Sequence, residues 1–295
     1  MSETSDLFRK LFKEGDDIRD AGLSTPDNIV RYDNIPYGEE PAWQVLDVYR
    51  PGNAAGDKLP VIIDVHGGAW VYGDKERYQY YCMNLAQMGF AVVNFTYRLA
   101  PEFQFPSPLE DTNLVSGWVM KNASQYDLDT DHIFGMGDSA GAHLLSLYAA
   151  VCTNPDCAEN YSFRAPEGFE LKAVALNCGV YDLQNRESLD AETPDLMKDL
   201  LPGGGTEEEL SRISTVNYIT PEYPPVFYMT CMGDTQKVQA PLLESRLLEN
   251  DVPHEFHYFG SRTKSLGHVF HLNRRSEDAV TCNGLECSYF RRFLS

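Results

Sequence analysis

The sequence predicts an α/β fold: a mostly parallel sheet with helices on both faces. Three observations carry that expectation. Short apolar runs alternate with stretches of helical periodicity through the first half of the chain, the pattern of strand–helix–strand units laid side by side in one sheet. The run LPVIIDV (59–65) is nearly continuous and β-branched, like a strand buried on both faces, whereas WQVLDVY (43–49) alternates like an outer strand, so the sheet should be mixed. Residues 131–150 read as a strand that enters a tight glycine turn and leaves as a helix, with Ser139 at the apex of Gly137-Asp138-Ser139-Ala140-Gly141.

Taken in order, Leu7, Phe8, Leu11, Phe12 and Ile18 recur at helical spacing over residues 5–21, with Thr4 or Ser5 to cap the start and Gly22 near the end. Such a helix can cover a site, pack plainly, or form the subunit contact of a homodimer. After the strand at 59–65 come His66-Gly67-Gly68-Ala69-Trp70 and a helix from about Tyr78 to Met88, then the strand FAVVNFTY (90–97). Ser107-Pro108 opens the next helix, with Ser107 as N-cap and Pro108 at the first helical position. LKAVALN (171–177) and PVFYMT (225–230) are further strands. The long segment between them holds two short helices, one opening at Thr193-Pro194 and one at Thr206, where Glu209 completes a capping box. This insertion, about 180–224, is expected to form a small lid. A helix over 241–249, a strand over 255–259 and a helix over 277–293 close the chain.

Composition narrows the function. Hydrophobic content of 43% and charged content of 23% suit a globular domain, and no apolar run approaches the roughly 20 residues of a membrane helix. The acidic N-terminus lacks the basic and apolar regions of a secretory signal, which implies a cytoplasmic protein. A formal charge of -20 repels phosphate backbones and anionic lipids, arguing against nucleic-acid and membrane partners. The seven cysteines show no CxxC spacing and read as reduced core residues, so no metal is expected. A zinc site would need Cys152/Cys157 and Cys282/Cys287 to converge.

The two glycines around Ser139 suit a sharp turn that lifts a hydroxyl clear of the backbone. A serine is a weak nucleophile until a base takes its proton, so the site needs a histidine and a group to orient it. His268 lies in a loop between the last strand and the last helix, where it can reach over the sheet edge. His271 is expected to support the helix start, His66 to shape its loop, His143 to pack its helix, and His132, His254 and His257 to be structural. The acid should follow a core strand between nucleophile and base. Asp234 fits, with Asp182 as competitor, while Asp138 is too close to Ser139 in chain to reach round the imidazole. A tetrahedral intermediate needs N–H donors, each worth about 3 kcal/mol in other enzymes. Ala140 is one source and the loop Gly67, Gly68, Ala69 the other, with Trp70 and Tyr72 beside it as substrate-contacting residues. The loop lacks GxGxxG and a P-loop lysine, so phosphate binding is not expected.

HGGAW, YRLAPE (97–102), GDSAG and the late Gly267-His268, in that order, resemble the α/β-hydrolase superfamily, specifically bacterial esterases of the hormone-sensitive-lipase-like branch, over about residues 40–295. The resemblance implies a carboxylic ester hydrolase acting on a small-molecule ester, with Ser139, Asp234 and His268 as triad and no cofactor. It also implies a single domain over 1–295, capped by residues 1–30 and the 180–224 insertion. Short-chain acyl esters are the expected substrates, and acetyl or feruloyl esters of carbohydrates extend that class. Three departures stand out: Ala69 replaces a third glycine, Asp234 follows Gly233 and precedes Thr235-Gln236 in unusual wording, and Thr215 follows Ser214 where proline is usual. HGG-x-W with GxSxG also resembles formamidases and some peptidases of the same fold. A non-catalytic binding protein on the same scaffold would be expected to lack the serine or the histidine.

Overall fold

The computed structural model describes residues 2–294. Eight strands form one twisted sheet in the order β1-β2-β4-β3-β5-β6-β7-β8. They are β1 (Ile29–Pro36), β2 (Val45–Pro51), β3 (Leu59–Val65), β4 (Ala91–Thr96), β5 (Leu128–Asp138), β6 (Leu171–Asn177), β7 (Val226–Cys231) and β8 (His254–Phe259). β1 pairs antiparallel with β2, and β2 with β4, while the other six strands run parallel. The expected mixed sheet is therefore present, with the antiparallel pairing confined to one edge. β1 has no counterpart in the sequence reading, because IVRYDNIP is mostly exposed and shows little alternation. Its presence moves WQVLDVY inward: β2 has neighbours on both sides and is buried from Leu46 onward.

The helices are α1 (Glu3–Asp20), α2 (Lys75–Gln87), α3 (Ser107–Asn122), α4 (Ala140–Thr153), α5 (Pro155–Ala158), α6 (Thr193–Leu200), α7 (Glu207–Ile213), α8 (Ala240–Glu249) and α9 (Glu277–Arg291). Several starts differ from the sequence reading. Ser2 caps α1 by accepting the Ser5 N–H at 3.1 Å, ahead of Thr4 and Ser5. The Asp74 carboxylate caps α2 three residues earlier than expected. Pro106 stands at the N-cap of α3, so Ser107 lies within the first turn. The capping box at Thr206 and Glu209 is formed as expected.

Two apolar cores lie on opposite faces of the sheet. One joins α3 and α4 with the α6–α7 segment, and the other joins α2 and α9. The sheet therefore presents the C-terminal ends of its parallel strands as an edge where loops converge, the place where α/β sheets bind ligands. α1 and the α6–α7 segment lie over that edge. The Asp199 carboxylate of α6 accepts from the Ser2 hydroxyl at 2.8 Å and from the Ser5 hydroxyl at 2.5 Å. Arg9 donates to the carbonyls of Val71 and Ala100 and pairs with Glu102 at 2.6 Å.

Candidate active site

Ser139 sits at the junction of β5 and α4 with φ 50° and ψ −119°, a conformation that L residues rarely adopt. Its amide donates to the Asn177 carbonyl at 2.8 Å. The turn is feasible because α4 meets β3 at backbone distance. A Cβ on Gly141 would lie 1.9 Å from the Val65 carbonyl oxygen and 2.5 Å from that of His66. Ala69, Trp70, Cys178 and Val269 also have positive φ. For a β-branched residue such as Val269 this is a real backbone cost, held in place by the surrounding structure, and such residues gather at functional sites.

His268 and Asp234 come from loops after β8 and β7. The two loops are stitched together: the Gly233 amide donates to the Leu266 carbonyl at 2.9 Å, and the Cys231 sulfur lies 3.1 Å from the carbonyl oxygens of both Leu266 and Gly267. His268 Nδ1 donates to Asp234 Oδ1 at 2.7 Å. That bond leaves Nε2 with its lone pair. Asp234 is fully buried and also accepts from the Thr230 hydroxyl at 2.6 Å and the Gln236 amide at 2.9 Å. Burial pushes the Asp234 carboxyl up, but the His268 contact and these two donors outweigh it and hold the group below the usual range. Desolvation pulls the His268 imidazole down, and the Asp234 hydrogen bond and charge more than reverse this, raising it above its ordinary value. Asp182 lies elsewhere in role: its Oδ1 accepts from the amides of Gln184 and Asn185 at 3.0 and 3.1 Å, closing a turn.

The glycine loop behaves as two parts. The Gly67 amide donates to the Tyr78 hydroxyl at 2.9 Å, so the expectation that it serves as an oxyanion donor is corrected. The amides of Gly68, Ala69 and Ala140 have no partner among the described residues. The Tyr78 hydroxyl in turn donates to Asp138 Oδ2 at 3.0 Å. Burial lifts the Asp138 carboxyl to about 6, with Tyr78, His268, Arg19 and the Gly67 amide drawing it back.

Trp70 lines the site but is only 3% exposed, and its indole N–H donates to His143 Nδ1 at 3.0 Å. His143 then donates through Nε2 to the Ile213 carbonyl at 2.8 Å, tying the loop to the end of α7. Tyr72 donates to Asp16 of α1 at 3.0 Å, with the Phe12 ring edge-on at 5.9 Å. Both residues expected to contact substrate thus also hold the covering elements. His66 shapes its loop as expected, and His271 packs inside the core. His66 Nδ1 bonds its own loop at the Gly67 carbonyl, 2.8 Å, and the ring stacks on Tyr97. His271 is buried, packs edge-on against Tyr81, and its carbonyl accepts from Asn283 of α9.

These groups surround a cavity of about 390 Å³, toward the small end of the roughly 300–1,000 Å³ of ligand pockets. Ser139, His268, Gly67, Gly68 and Ala69 line it from the sheet side. Phe8, Leu11 and Phe12 of α1, Leu196 of α6, and Val180 and Leu272 supply apolar walls. Phe8, Leu11 and Phe12 stand out in the sequence as the apolar stripe of a helix that could cover a site, pack plainly or form a subunit contact, whereas Val180, Leu196 and Leu272 carry no sequence signal. Among the described residues one cluster has donors close enough for a metal, Cys178 with Asp234 and His268. Its carboxylate and imidazole already bond each other, and burial holds the Cys178 thiol well above its usual range, so no vacant ligand set is offered. Cys152/Cys157 and Cys282/Cys287 form no such cluster.

Residues 46–251 match the BD-FAE family model, a span of more than half the chain. The chain belongs to the BD-FAE family. This BD-FAE chain is 30% identical to Esterase LipQ of Mycobacterium tuberculosis over 206 residues, 66% of this chain and 47% of that protein. It is 32% identical to kynurenine formamidase of Danio rerio over 154 residues, 51% of this chain and 46% of that protein. The chain spans about half the length of such curated relatives. Esterase B from Lactobacillus rhamnosis superposes with a TM-score of 0.89 at 23% identity, covering 99% of this chain and 97% of that one. The fold is that of the α/β-hydrolases. No helix among the described residues is long and apolar enough to cross a membrane.

Proposed function

We propose that this chain is a serine carboxylesterase acting on short-chain acyl esters, a single domain capped by residues 1–30 and about 180–224. The observation that carries the reading is the 2.7 Å bond from His268 Nδ1 to a fully buried Asp234, on a histidine that shares a cavity with the strained Ser139. In this reading Ser139 Oγ attacks the ester carbonyl and His268 Nε2 takes its proton. The amides of Gly68, Ala69 and Ala140 receive the developing oxyanion. Collapse expels the alcohol, which takes the proton from His268. Water, activated by the same imidazole, then attacks the acyl-enzyme, releases the carboxylic acid and restores Ser139. Asp234 holds the tautomer and stabilises the imidazolium. No cofactor is needed for these steps.

A serine-directed phosphonate tests this directly. It should add once, at Ser139, and abolish hydrolysis of p-nitrophenyl butyrate. Labelling elsewhere, with Ser139→Ala still active, would overturn the assignment. The formamidase relative favours one second reading, amide cleavage by the same machinery. Paired ester and N-formyl amide substrates of matched shape separate the two through kcat/KM.

A further inference from the structure

One phenolic oxygen joins the two halves of the proposed oxyanion cradle. The Tyr78 hydroxyl accepts the Gly67 N–H at 2.9 Å and donates to Asp138 Oδ2 at 3.0 Å. Gly67 leads directly into Gly68 and Ala69, whose amides are free. Asp138 leads directly into Ser139 and Ala140. The junction is tight: a Cβ on Gly67 would lie 2.6 Å from Asp138 Oδ2 and 3.1 Å from the Tyr78 oxygen. Tyr78 is 5% exposed and its ring leans on His66 at a centroid distance of 5.7 Å. Although it borders the cavity, its O–H hydrogen is committed to Asp138 and so is not offered to a substrate.

We infer that Tyr78 is a positioning residue that sets the spacing between the Gly68 and Ala69 donors and the Ala140 donor, with Asp138 as its anchor. An oxyanion hole works only if its donors lie about 2.7–3.1 Å from where the charge develops. Without the phenolic oxygen, the Gly67 amide and the Asp138 carboxylate face each other across a buried gap. An N–H and a carboxylate so placed close on each other, and the loop moves relative to the nucleophile turn. A displacement of about 1 Å at such a site costs on the order of 10²-fold in rate. The inference rests on the acyl-transfer reading above.

The test compares Tyr78→Phe, Asp138→Asn, Asp138→Ala and Ser139→Ala with the parent protein. The readouts are kcat and KM for p-nitrophenyl butyrate, Ki for a short trifluoromethyl ketone, and Tm. In that inhibitor the Ser139 oxygen adds to the ketone carbon, its proton passes to His268, and the carbonyl oxygen becomes the bound oxyanion. Tyr78→Phe should lower kcat by about 10- to 100-fold, with KM changed by no more than about threefold and Ki weakened in step with kcat. Asp138→Asn keeps a carbonyl to accept the Tyr78 O–H and should retain much more rate than Asp138→Ala. A Tyr78→Phe protein with parental kcat and Ki overturns the inference, as does a fall in kcat that leaves Ki untouched. Should Tyr78→Phe not fold, the Asp138 pair decides, and equal rates for Asn and Ala overturn it. Loss of activity in Ser139→Ala keeps the acyl-transfer reading whichever way Tyr78 falls. Retained activity there overturns both.

Discussion

Gly141→Ala is the perturbation whose consequence the structure specifies most closely. The added methyl would lie 1.9 Å from the Val65 carbonyl oxygen and 2.5 Å from the His66 oxygen, both rigid backbone atoms at the end of β3. A carbon and an oxygen need more than 3 Å, so α4 and β3 must part by about 1 Å. Overpacking of this kind costs about 1–3 kcal/mol, and with a shift of roughly 2–4 °C per kcal/mol in a chain of this size class Tm should fall by about 2–12 °C. The functional effect should be larger than the stability effect. β3 runs directly into His66, Gly67 and Gly68, and α4 carries Ser139 and Ala140 at its start, so the separation opens the proposed oxyanion hole itself. A misplacement of about 1 Å predicts a loss on the order of 10²-fold in kcat. The assay is hydrolysis of p-nitrophenyl butyrate by the folded variant, alongside a thermal melt. Parental kcat and Tm would falsify the close approach of α4 to β3. A lowered Tm with parental kcat would show that the hole does not depend on that separation.

Asp234→Asn should reduce kcat by several orders of magnitude, about 10⁴ by the serine-protease precedent, with the fold retained, while Asp182→Asn should change kcat little. The reverse result would exchange their roles. Because the His268 imidazole is raised above 6.5 in the fold, and only its neutral form can take a proton, kcat/KM should rise with pH through a midpoint above 6.5. A midpoint at or below 6.5 would contradict the Asp234 contact. The same pair stabilises the charged imidazole, so its contribution from His268 is complete below pH 6.5 and is lost as pH rises through the folded value. The part due to the depressed Asp234 carboxyl is present above its unfolded value and is lost as pH falls through the folded one. Stability curves of wild type and Asp234→Asn against pH should converge as pH falls through the folded Asp234 value, and should narrow without closing as pH rises through the folded His268 value, because the Thr230 and Gln236 donors still favour the carboxylate there. Acyl-chain preference should peak at acetyl to butyryl esters, since each methylene beyond the apolar wall forgoes about 0.8 kcal/mol and the cavity holds about 390 Å³. A maximum at octanoate or longer in the p-nitrophenyl series, below micelle-forming concentrations, would mean that α1 opens on a longer channel.

What could be read from the sequence alone was local and periodic. The buried β-branched run at 59–65, the strand at 171–177 and the capping box at Thr206 depend on neighbours in the chain, and the strand bounds and the capping box agree with the structure. GDSAG marked a turn because two glycines and a serine between a strand and a helix have few other uses. β1 was missed because an edge strand facing solvent has little apolar alternation to display. Its absence from the reading made β2 look like an outer strand.

The tertiary structure decided everything that depends on groups distant in sequence. Asp234 and Asp182 both follow core strands. Only the stitched loops after β7 and β8 bring one of them to 2.7 Å from His268, while the other closes a turn. Three residues of a glycine loop look equivalent as oxyanion donors until a tyrosine on the next helix takes the first amide. Tyr78 carries no motif, and its role arises from where α2 packs against the sheet. Hydrogen bonds are short and directional, so a group's availability depends on which neighbour reaches it first, and chain order does not encode that contest.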